Sequence, residues 1–291
     1  FFLIPSDFRG KVLVDEPLSN WTTIGTGGKA DFLVFPEDAD ELLKLVCTLE
    51  NSGVRWFVMG LGSNVLFPDS GFRGVVIKTD NLNNMIIEKN LVKVEAGVRL
   101  EALLRKAAEN GLGGLEGLTG IPGSVGGAVR MNAGAYGYEI GPHIKGVLCV
   151  VEGELKNIEY RYGYRFSSVM DMVVVEAVVE FEERERNKIL EEMEDFRKRR
   201  KKTQPLDRKT FGSVFKNPEG KKAWELLLEA GLPGTRIGGA MFSRKHANFI
   251  ENTGNARTED VISLINLAKE KVYEKTGIKL EEEVVVVKEE D

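Results

Sequence analysis

The stretch GLTGIPGSVGGAVRMNAGAYG, Gly117 to Gly137, decides how this chain is interpreted. Eleven glycines lie between Gly111 and Gly141, and apolar residues such as Ile121 and Val125 separate them. Glycine adopts positive φ freely and lets another group approach the backbone closely. A tight turn explains any single glycine, whereas the cluster as a whole favours backbone wrapped against a flat or phosphorylated ligand.

Composition is typical of a globular protein. The chain has 291 residues, of which 42% are hydrophobic and 29% charged, enough for two or three domains with their own cores. The net charge of −5 gives no general attraction for nucleic acid or anionic membranes. No run approaches the ~20 apolar residues of a membrane span, and the opening FFLIPSDFRG is too short for a signal peptide. We therefore expect a cytoplasmic protein with no membrane, nucleic-acid or obligate protein partner.

Two further patterns bear on metal and nucleic-acid binding. Cys47 and Cys149 lie in apolar patterns and are predicted to be buried free thiols. No Cys/His spacing of the zinc type occurs, so we expect no metal. The basic run KRRKK, Lys198 to Lys202, is interpreted as the solvated end of a helix, where cations complement the helix dipole, rather than as a nucleic-acid patch.

The hydrophobic periodicity, together with glycine and proline stops, predicts an α+β protein in several modules. Helices are expected at 38–51, 99–110, 186–203, 221–230 and 258–276. Strands are expected at 31–35, 54–59, 74–78, 85–88, 91–96, 144–152, 154–160, 172–181, 247–251 and 283–288. Thr258 is the expected N-cap of the last helix, because a threonine hydroxyl can accept from the first free N–H groups.

A second glycine loop, GLGSNV, begins at Gly60 directly after a predicted strand. It is not a Rossmann fingerprint, because Val65 stands where the third glycine is needed and no helix is expected after it. It also lacks the Gly-Lys-Ser/Thr of a phosphate loop. Its N–H groups and the Ser63 and Asn64 side chains suit a pyrophosphate. Two glycine loops fit a long ligand with phosphates in its middle, such as a flavin dinucleotide, and two unrelated tight turns fit equally well.

Six stretches together resemble one family. They occur in one order: WTTIGTGG (21–28), GLGSNVLFPDSGFRGVVI (60–77), Gly117 to Gly137, YGYRFS (162–167), GSVFKNP (212–218) and SRKHANFIEN (243–252). Over about residues 18–288 the chain is similar to the UDP-N-acetylenolpyruvoylglucosamine reductases, the MurB enzymes of peptidoglycan synthesis. Any one stretch would be weak, but six in order are specific.

The resemblance implies an FAD-binding domain of the vanillyl-alcohol-oxidase type in two subdomains, 1–80 and 81–185, and a C-terminal α+β domain, 186–291, that binds a UDP-sugar. Larger members carry a tyrosine-bearing loop and a βαββ insertion. Here only 45 residues, Phe166 to Thr210, are available for them, so the chain resembles the shorter, second type. No residue of this chain is therefore assigned the capping role of that tyrosine.

The resemblance also implies the reaction. NADPH would reduce FAD, and the reduced flavin would pass a hydride to C3 of UDP-N-acetylglucosamine enolpyruvate, giving UDP-N-acetylmuramate. Arg165 would stabilise the enolate, since its guanidinium fork suits a carboxylate and keeps its charge. Ser213 would give the proton to C2. Glu283 would assist Arg165, although the run Glu281 to Glu283 leaves the register uncertain by one residue.

Binding residues follow from the same motifs. The flavin is expected to be held without a covalent bond, because neither glycine loop contains a histidine or cysteine. Its predicted contacts are Thr23, Gly25, Gly60, Leu61, Gly62, Ser63, Asn64, Ile121, Pro122, Gly123, Ser124 and Gly127. The predicted substrate contacts are Tyr164, Lys216, Asn217, His246 and Asn248, where a structural role for His246 is equally possible.

Two other functions are compatible with parts of the sequence. An FAD-dependent alcohol oxidase or dehydrogenase of the same fold would use the same glycine loops but has no need of GSVFKNP after YGYR. A UDP-sugar-binding protein without catalysis would tend to lose one of Arg165, Ser213 and Glu283, whereas all three are present.

Overall fold

The computed structural model of the chain describes residues 4–289, so the first three residues of the apolar opening lie outside it. The chain forms two compact units, each assembled from separated stretches. The first comprises Phe1–Val14, Phe32–Leu61 and Gly74–Lys198; the second comprises Asp15–Asp31, Gly62–Arg73 and Arg199–Asp291. The division of the sequence at residues 80 and 185 stays a prediction.

Apart from α3, the helices lie close to their predicted positions. They are α1 (Ala39–Ser52), α2 (Leu100–Glu109), α3 (Val125–Met131), α4 (Arg186–Thr203), α5 (Ala223–Glu229) and α6 (Thr258–Thr276). α1 begins at Asp38, whose side chain accepts from the N–H of Glu41 at 2.9 Å, and ends at Gly53, whose φ of 66° is easy only for glycine. Among residues 4–289, no helix has the length and apolarity that crossing a membrane requires.

The strands are mostly short. They are β1 (Lys11–Pro17), β2 (Lys29–Phe35), β3 (Trp56–Met59), β4 (Val65–Leu66), β5 (Phe72–Lys78), β6 (Met85–Glu88), β7 (Leu91–Glu95), β8 (Leu112–Gly113), β9 (Gly134–Ala135), β10 (Tyr138–Glu139), β11 (Ile144–Val151), β12 (Glu154–Ile158), β13 (Tyr162–Gly163), β14 (Phe166–Ser167), β15 (Val173–Glu180), β16 (Glu182–Glu183), β17 (Arg236–Ile237), β18 (Ala240–Phe242), β19 (Ile250–Asn252) and β20 (Val285–Val286).

The first unit contains a five-stranded antiparallel sheet in the order β12-β11-β15-β7-β6. Helices α2 and α3 cover it, and their apolar faces join the sheet in one buried cluster that includes Val94, Leu103 and Val129. A second cluster packs α1 against β5 of the four-stranded sheet β1-β2-β5-β3, in which β3 and β5 run parallel. This pairing places the loop after β3 beside the end of β5.

The second unit is built around α5, α6 and the sheet β17-β18-β19. Its core includes Phe211, Phe215, Phe242 and Leu264, all nearly or fully buried. The C-terminal strand β20 pairs in parallel with β4, Val285 opposite Val65. The residues that follow the loop GLGSNV and the C-terminal strand therefore lie side by side.

Several expectations need correction. α3 forms inside the glycine cluster, where no helix was predicted. The N-cap of α6 is Arg257, while Thr258 is its first residue and is buried. Cys149 is buried, but Cys47 is only half-buried. The last strand spans only Val285–Val286, because residues 281–283 pair with the chain through isolated bonds rather than a regular ladder.

Candidate functional site

The two glycine loops predicted to share one ligand meet in the first unit. A Cβ atom at Gly60 would lie 2.2 Å from Oγ of Ser124, so a residue larger than glycine cannot occupy this position unless Ser124 moves. Ser124 is the N-cap of α3 and is buried. The sequence separated these loops by about sixty residues, and the fold brings them into contact.

The amino end of α3 is largely used by the protein itself. Its first three N–H groups donate to Val98 O at 2.8 Å, Ala96 O at 2.9 Å and Ser124 Oγ at 3.3 Å, from Val125, Gly126 and Gly127 respectively. The first two of these bonds hold α3 against the segment before α2, and the third is the cap of the helix itself.

The loop after β3 has the donors that a phosphate needs. Within residues 4–289, the N–H groups of Leu61 and Gly62 donate to no acceptor. Gly62 has a φ of 70°, and a Cβ atom there would lie 2.1 Å from Trp21 O. Successive N–H groups around a left-handed residue form an anion-binding concavity. The loop thus fits a cofactor that carries a diphosphate.

Other glycines of the cluster are explained by packing inside the protein. A Cβ atom at Gly117 would lie 2.3 Å from the Tyr138 ring, and one at Gly141 would lie 2.5 Å from the Tyr162 ring. For these positions the structure supports the interpretation as close packing rather than ligand contact.

Two further predicted flavin residues have partners in the second unit. Thr23 donates its hydroxyl to Thr210 O at 2.7 Å and its N–H to Gly62 O at 3.0 Å. Asn64 donates its amide to Glu283 O at 3.1 Å, and its own carbonyl accepts from the N–H of Val285 at 3.1 Å. Asn64 therefore ties the glycine loop to the backbone of the predicted catalytic glutamate.

The segment that carries Ser213 lies next to the segment that carries Glu283. The N–H of Glu283 donates to Val214 O at 2.8 Å, and Phe215 lies opposite Glu282. Gly212 precedes the serine with a φ of 83°, a left-handed turn that only glycine adopts without strain. Ser213 and Glu283 are both half-buried.

The neighbours of Glu283 are held by lysines. Glu281 pairs with Lys216 at 2.8 Å, and Glu282 pairs with Lys269 at 2.8 Å. Lys216, a predicted substrate contact, is thus also an ion-pair partner. Two of the three glutamates in the run Glu281 to Glu283, for which the sequence left the register uncertain, are therefore in ion pairs.

Asn248 and His246 brace the same region. The amide of Asn248 accepts from Phe215 N–H at 3.0 Å and donates to Phe215 O at 2.8 Å, and all of these groups are buried. Nδ1 of His246 accepts from the N–H of Asn248 at 3.3 Å. Burial lowers the pKa of His246, which is consistent with a neutral ring whose Nδ1 accepts.

Asn217 and Tyr164 complete the predicted substrate contacts. Oδ1 of Asn217 accepts from the N–H of Ala223 at 3.0 Å and so supports the start of α5. The ring of Tyr164 is exposed, in the first unit. The substrate roles of all five residues stay predictions.

Arg165 belongs to the first unit, at the turn of the β13–β14 hairpin. It has a φ of 51°, a backbone conformation that is unfavourable for any residue other than glycine. Its Nη2 donates to Gly134 O at 3.0 Å, and its guanidinium carbon lies 5.1 Å from the centre of the Tyr164 ring. A strained backbone at a predicted catalytic residue is typical of functional sites.

Sequence reasoning missed two residues that shape these elements. Asn132 is fully buried; it accepts from Gly141 N–H and donates to Gly163 O, both at 2.8 Å, and so holds the hairpin of Arg165. Lys78 is buried at the end of β5 and donates to Gly60 O. The only signal for Lys78 was a lysine closing the apolar run GVVIK.

Comparison with known proteins places the whole chain in one family. A family model described as FAD binding domain matches residues 30–154, and one described as UDP-N-acetylenolpyruvoylglucosamine reductase, C-terminal domain, matches residues 204–287. These matches confirm the α+β architecture with an FAD-binding region followed by a distinct C-terminal domain.

Proteins with this name resemble the chain over nearly its full length. The UDP-N-acetylenolpyruvoylglucosamine reductase of Carboxydothermus hydrogenoformans is 47% identical over 95% of this chain and 94% of its own. That of Pelobacter propionicus is 38% identical over 98% of both chains. The crystal structure of the reductase (MurB) from Thermus caldophilus matches with a TM-score of 0.81 and 36% identity, covering 96% of this chain and 99% of its own. The chain belongs to the UDP-N-acetylenolpyruvoylglucosamine reductase family.

Proposed function

We propose that this chain is an FAD-dependent oxidoreductase that uses NADPH to reduce UDP-N-acetylglucosamine enolpyruvate to UDP-N-acetylmuramate, a step of peptidoglycan synthesis. One observation carries the proposal: proteins named UDP-N-acetylenolpyruvoylglucosamine reductase align with nearly the full length of the chain, that of Carboxydothermus hydrogenoformans at 47% identity. The motifs with Arg165, Ser213 and Glu283 are complete in this sequence.

The residues present fit FAD as the cofactor. When bound, FAD would take reducing equivalents from NADPH and deliver them to the enolpyruvyl double bond. The N–H groups of Leu61 and Gly62 suit its diphosphate, because they have no acceptor within residues 4–289. Gly60 and Ser124 shape the same loop by their close approach. The other predicted flavin contacts are proposed on their positions in the family motifs.

The chemistry assigned to the chain's own side chains is charge stabilisation and proton delivery. Reduction of an enol ether next to a carboxylate develops enolate charge, which needs a cation beside it. We assign this role to Arg165, with Glu283 as the second polar group. Ser213 would give its proton to C2, because the enolate is basic enough to take it from a hydroxyl.

We assign the second polar role to Glu283 on the position of its backbone. Bonds from Glu283 to Val214 and from Asn64 to Glu283 fix the backbone of Glu283 beside the serine segment. The proposed substrate contacts are Tyr164, Lys216, Asn217, His246 and Asn248.

The proposed compartment is the cytoplasm. Cys47 and Cys149 are both free thiols, which is the usual state of cysteines in reducing compartments.

An anaerobic flavin spectrum tests the proposal. NADPH is added to the yellow protein, followed by UDP-N-acetylglucosamine enolpyruvate. We expect bleaching by NADPH and rapid return of the yellow band only with that substrate. Bleaching without recovery would keep a flavoprotein but reject the substrate, and a protein that binds no FAD would reject the proposal altogether.

A further inference from the structure

Lys78 is a lysine enclosed by the first unit. Its side chain is only 3% exposed, and it closes β5 directly after the buried residues Val76 and Ile77. Its ammonium donates to the carbonyl of Gly60 and pairs with Oδ1 of Asp80 at 3.0 Å. Lysine is almost never fully buried unless it is paired, so the burial of this ammonium requires a specific explanation.

The charge at this position is costly to maintain. Burial lowers the pKa of Lys78, and the nearby positive charge of Arg99 acts in the same direction, while Asp80 opposes both. A methionine has a similar length and would fill the space without desolvating a charge. Replacing a buried ion pair by an apolar side chain is often neutral or stabilising. Stability alone therefore does not account for the lysine.

The consequence of the Lys78 bond lies in the peptide that joins Gly60 to Leu61. In a trans peptide the carbonyl and the following N–H point in opposite directions. The bond from Lys78 turns the Gly60 carbonyl toward the interior, so the N–H of Leu61 points away from it. Ser124 also packs closely against this peptide, since a Cβ atom on Gly60 would lie 2.2 Å from its Oγ. The peptide is thereby held in one orientation.

We propose that Lys78 is a positioning residue for the cofactor: it fixes the Gly60–Leu61 peptide so that the N–H of Leu61 is available to an anionic group of FAD. The inference rests on the proposed function only in that FAD must be the ligand. It does not depend on which substrate is reduced.

The test is FAD affinity of the apoprotein in Lys78→Met. FAD is titrated into apoprotein and followed by quenching of flavin fluorescence, and thermal unfolding of the apoprotein is measured in parallel. We expect Kd for FAD to rise roughly 10- to 100-fold, the loss typical of one charge-assisted hydrogen bond. The Tm of the apoprotein should stay unchanged or rise, because the buried charge is gone.

Two control variants isolate the ammonium–carbonyl bond. Lys93→Met removes a lysine of the same unit that is 55% exposed and pairs with Glu176, and it should leave FAD affinity unchanged. Asp80→Asn removes the ionic partner of Lys78 but keeps its amino group, which can donate to the Gly60 carbonyl in either protonation state, and FAD affinity should stay within about twofold of the unmodified chain.

Three results would overturn the inference: unchanged FAD affinity in Lys78→Met, an apoprotein that fails to fold or loses Tm in step with affinity, or an equal loss in Asp80→Asn. The second result would make Lys78 a purely structural residue. Failure of the unmodified chain to bind FAD would instead reject the proposed function before any variant is compared. Normal FAD binding without turnover of the enolpyruvyl substrate would leave the role of Lys78 intact.

Discussion

Asp69 caps the amino end of α6, 189 residues further along the chain, at Thr258. Its Oδ1 accepts from the N–H of Thr258 at 2.9 Å, and its Oδ2 accepts from the N–H of Glu259 at 2.9 Å. The hydroxyl of Thr258 donates instead to Phe67 O at 2.7 Å. The carboxylate of Asp69 thus performs the capping that the sequence predicted for Thr258. It also links the segment that follows the loop GLGSNV to helix α6 of the same unit.

Replacing Asp69 should therefore destabilise the second unit. In Asp69→Ala two N–H groups at the helix start lose their acceptor, and the favourable charge at the positive end of the helix dipole is lost. We expect a loss of about 1–2 kcal/mol in the free energy of unfolding, measured by denaturant titration. Asp207→Ala, at an exposed carboxylate, is the control and should change stability by less than about 0.5 kcal/mol. Equal losses in both variants would contradict the capping role.

Asn248 should matter for both stability and catalysis. Asn248→Ala leaves the N–H and carbonyl of Phe215 without their partners in a buried setting, at a cost of about 2–4 kcal/mol. Because Phe215 lies two residues after Ser213, reoxidation of the flavin by the enolpyruvyl substrate should slow more than its reduction by NADPH.

The control for Asn248 is Asn255→Ala, since Asn255 is exposed in the same unit. It should change neither stability nor either half-reaction. If Asn248→Ala unfolded at the same denaturant concentration as the unmodified chain, the two bonds to Phe215 would have no net value.

Two variants separate the effect of the strained Arg165 backbone from the effect of its side chain. Arg165→Ala and Arg165→Gly both remove the guanidinium, but only glycine also relieves the φ of 51°. We expect Arg165→Gly to be more stable than Arg165→Ala by about 1 kcal/mol. Both variants should lose turnover of the enolpyruvyl substrate. Equal stability of the two would show that this conformation carries no strain.

His246 should make the protein sensitive to acid. Burial lowers its folded pKa below the ordinary value of 6.5, so the unfolded chain takes up this proton first as pH falls. The stability that the neutral ring contributes is present above about pH 6.5 and is lost as pH falls through the folded pKa. Unfolding titrations between pH 8 and pH 5 measure this slope.

The matched variants are His246→Asn and His143→Asn, since the chain has two histidines. His246→Asn keeps an acceptor for the Asn248 N–H but does not titrate, so its stability should fall less steeply with pH. His143→Asn should retain the His246 contribution. A slope that is unchanged in His246→Asn would assign the acid sensitivity to other groups.

Ser213 should affect only one half of the reaction. In Ser213→Ala the flavin should bleach with NADPH at its usual rate, whereas reoxidation by the enolpyruvyl substrate should slow by about 100-fold or more, because proton delivery to C2 is lost. Stopped-flow absorbance of the flavin measures both steps. Equal slowing of the two would make Ser213 a residue that shapes the site rather than the proton donor.

The sequence predicted the framework well where the signal was local. α1 was expected at 38–51 and spans Ala39–Ser52, because its helical spacing and its glycine stop lie in one short segment of the chain. α4 was expected at 186–203 and spans those residues. By contrast α3 was missed, because two glycines in a seven-residue helix argue against helix on propensity alone. Packing against β15 and the cap at Ser124 override that preference.

The candidate site, like the fold, was predictable from the sequence only in part. The glycine positions and the order of the motifs could be read from the chain, because they are properties of single residues and short segments, and the roles of Arg165, Ser213 and Glu283 stay predictions. The partner of each side chain could not be read from the chain. The bonds between the Asn248 amide and Phe215 could not be predicted, because this pairing exists only once two segments pack together.

By itself, then, the sequence determined the α+β class, the family and the cofactor. The tertiary structure alone decided that Lys78 turns the Gly60 carbonyl inward, that Asp69 caps α6 and that Glu281 and Glu282 pair with lysines. The physical reason is that a hydrogen bond or ion pair depends on atoms a few ångströms apart, and segments separated by 13 to 190 residues reach that distance only through the packing of the core.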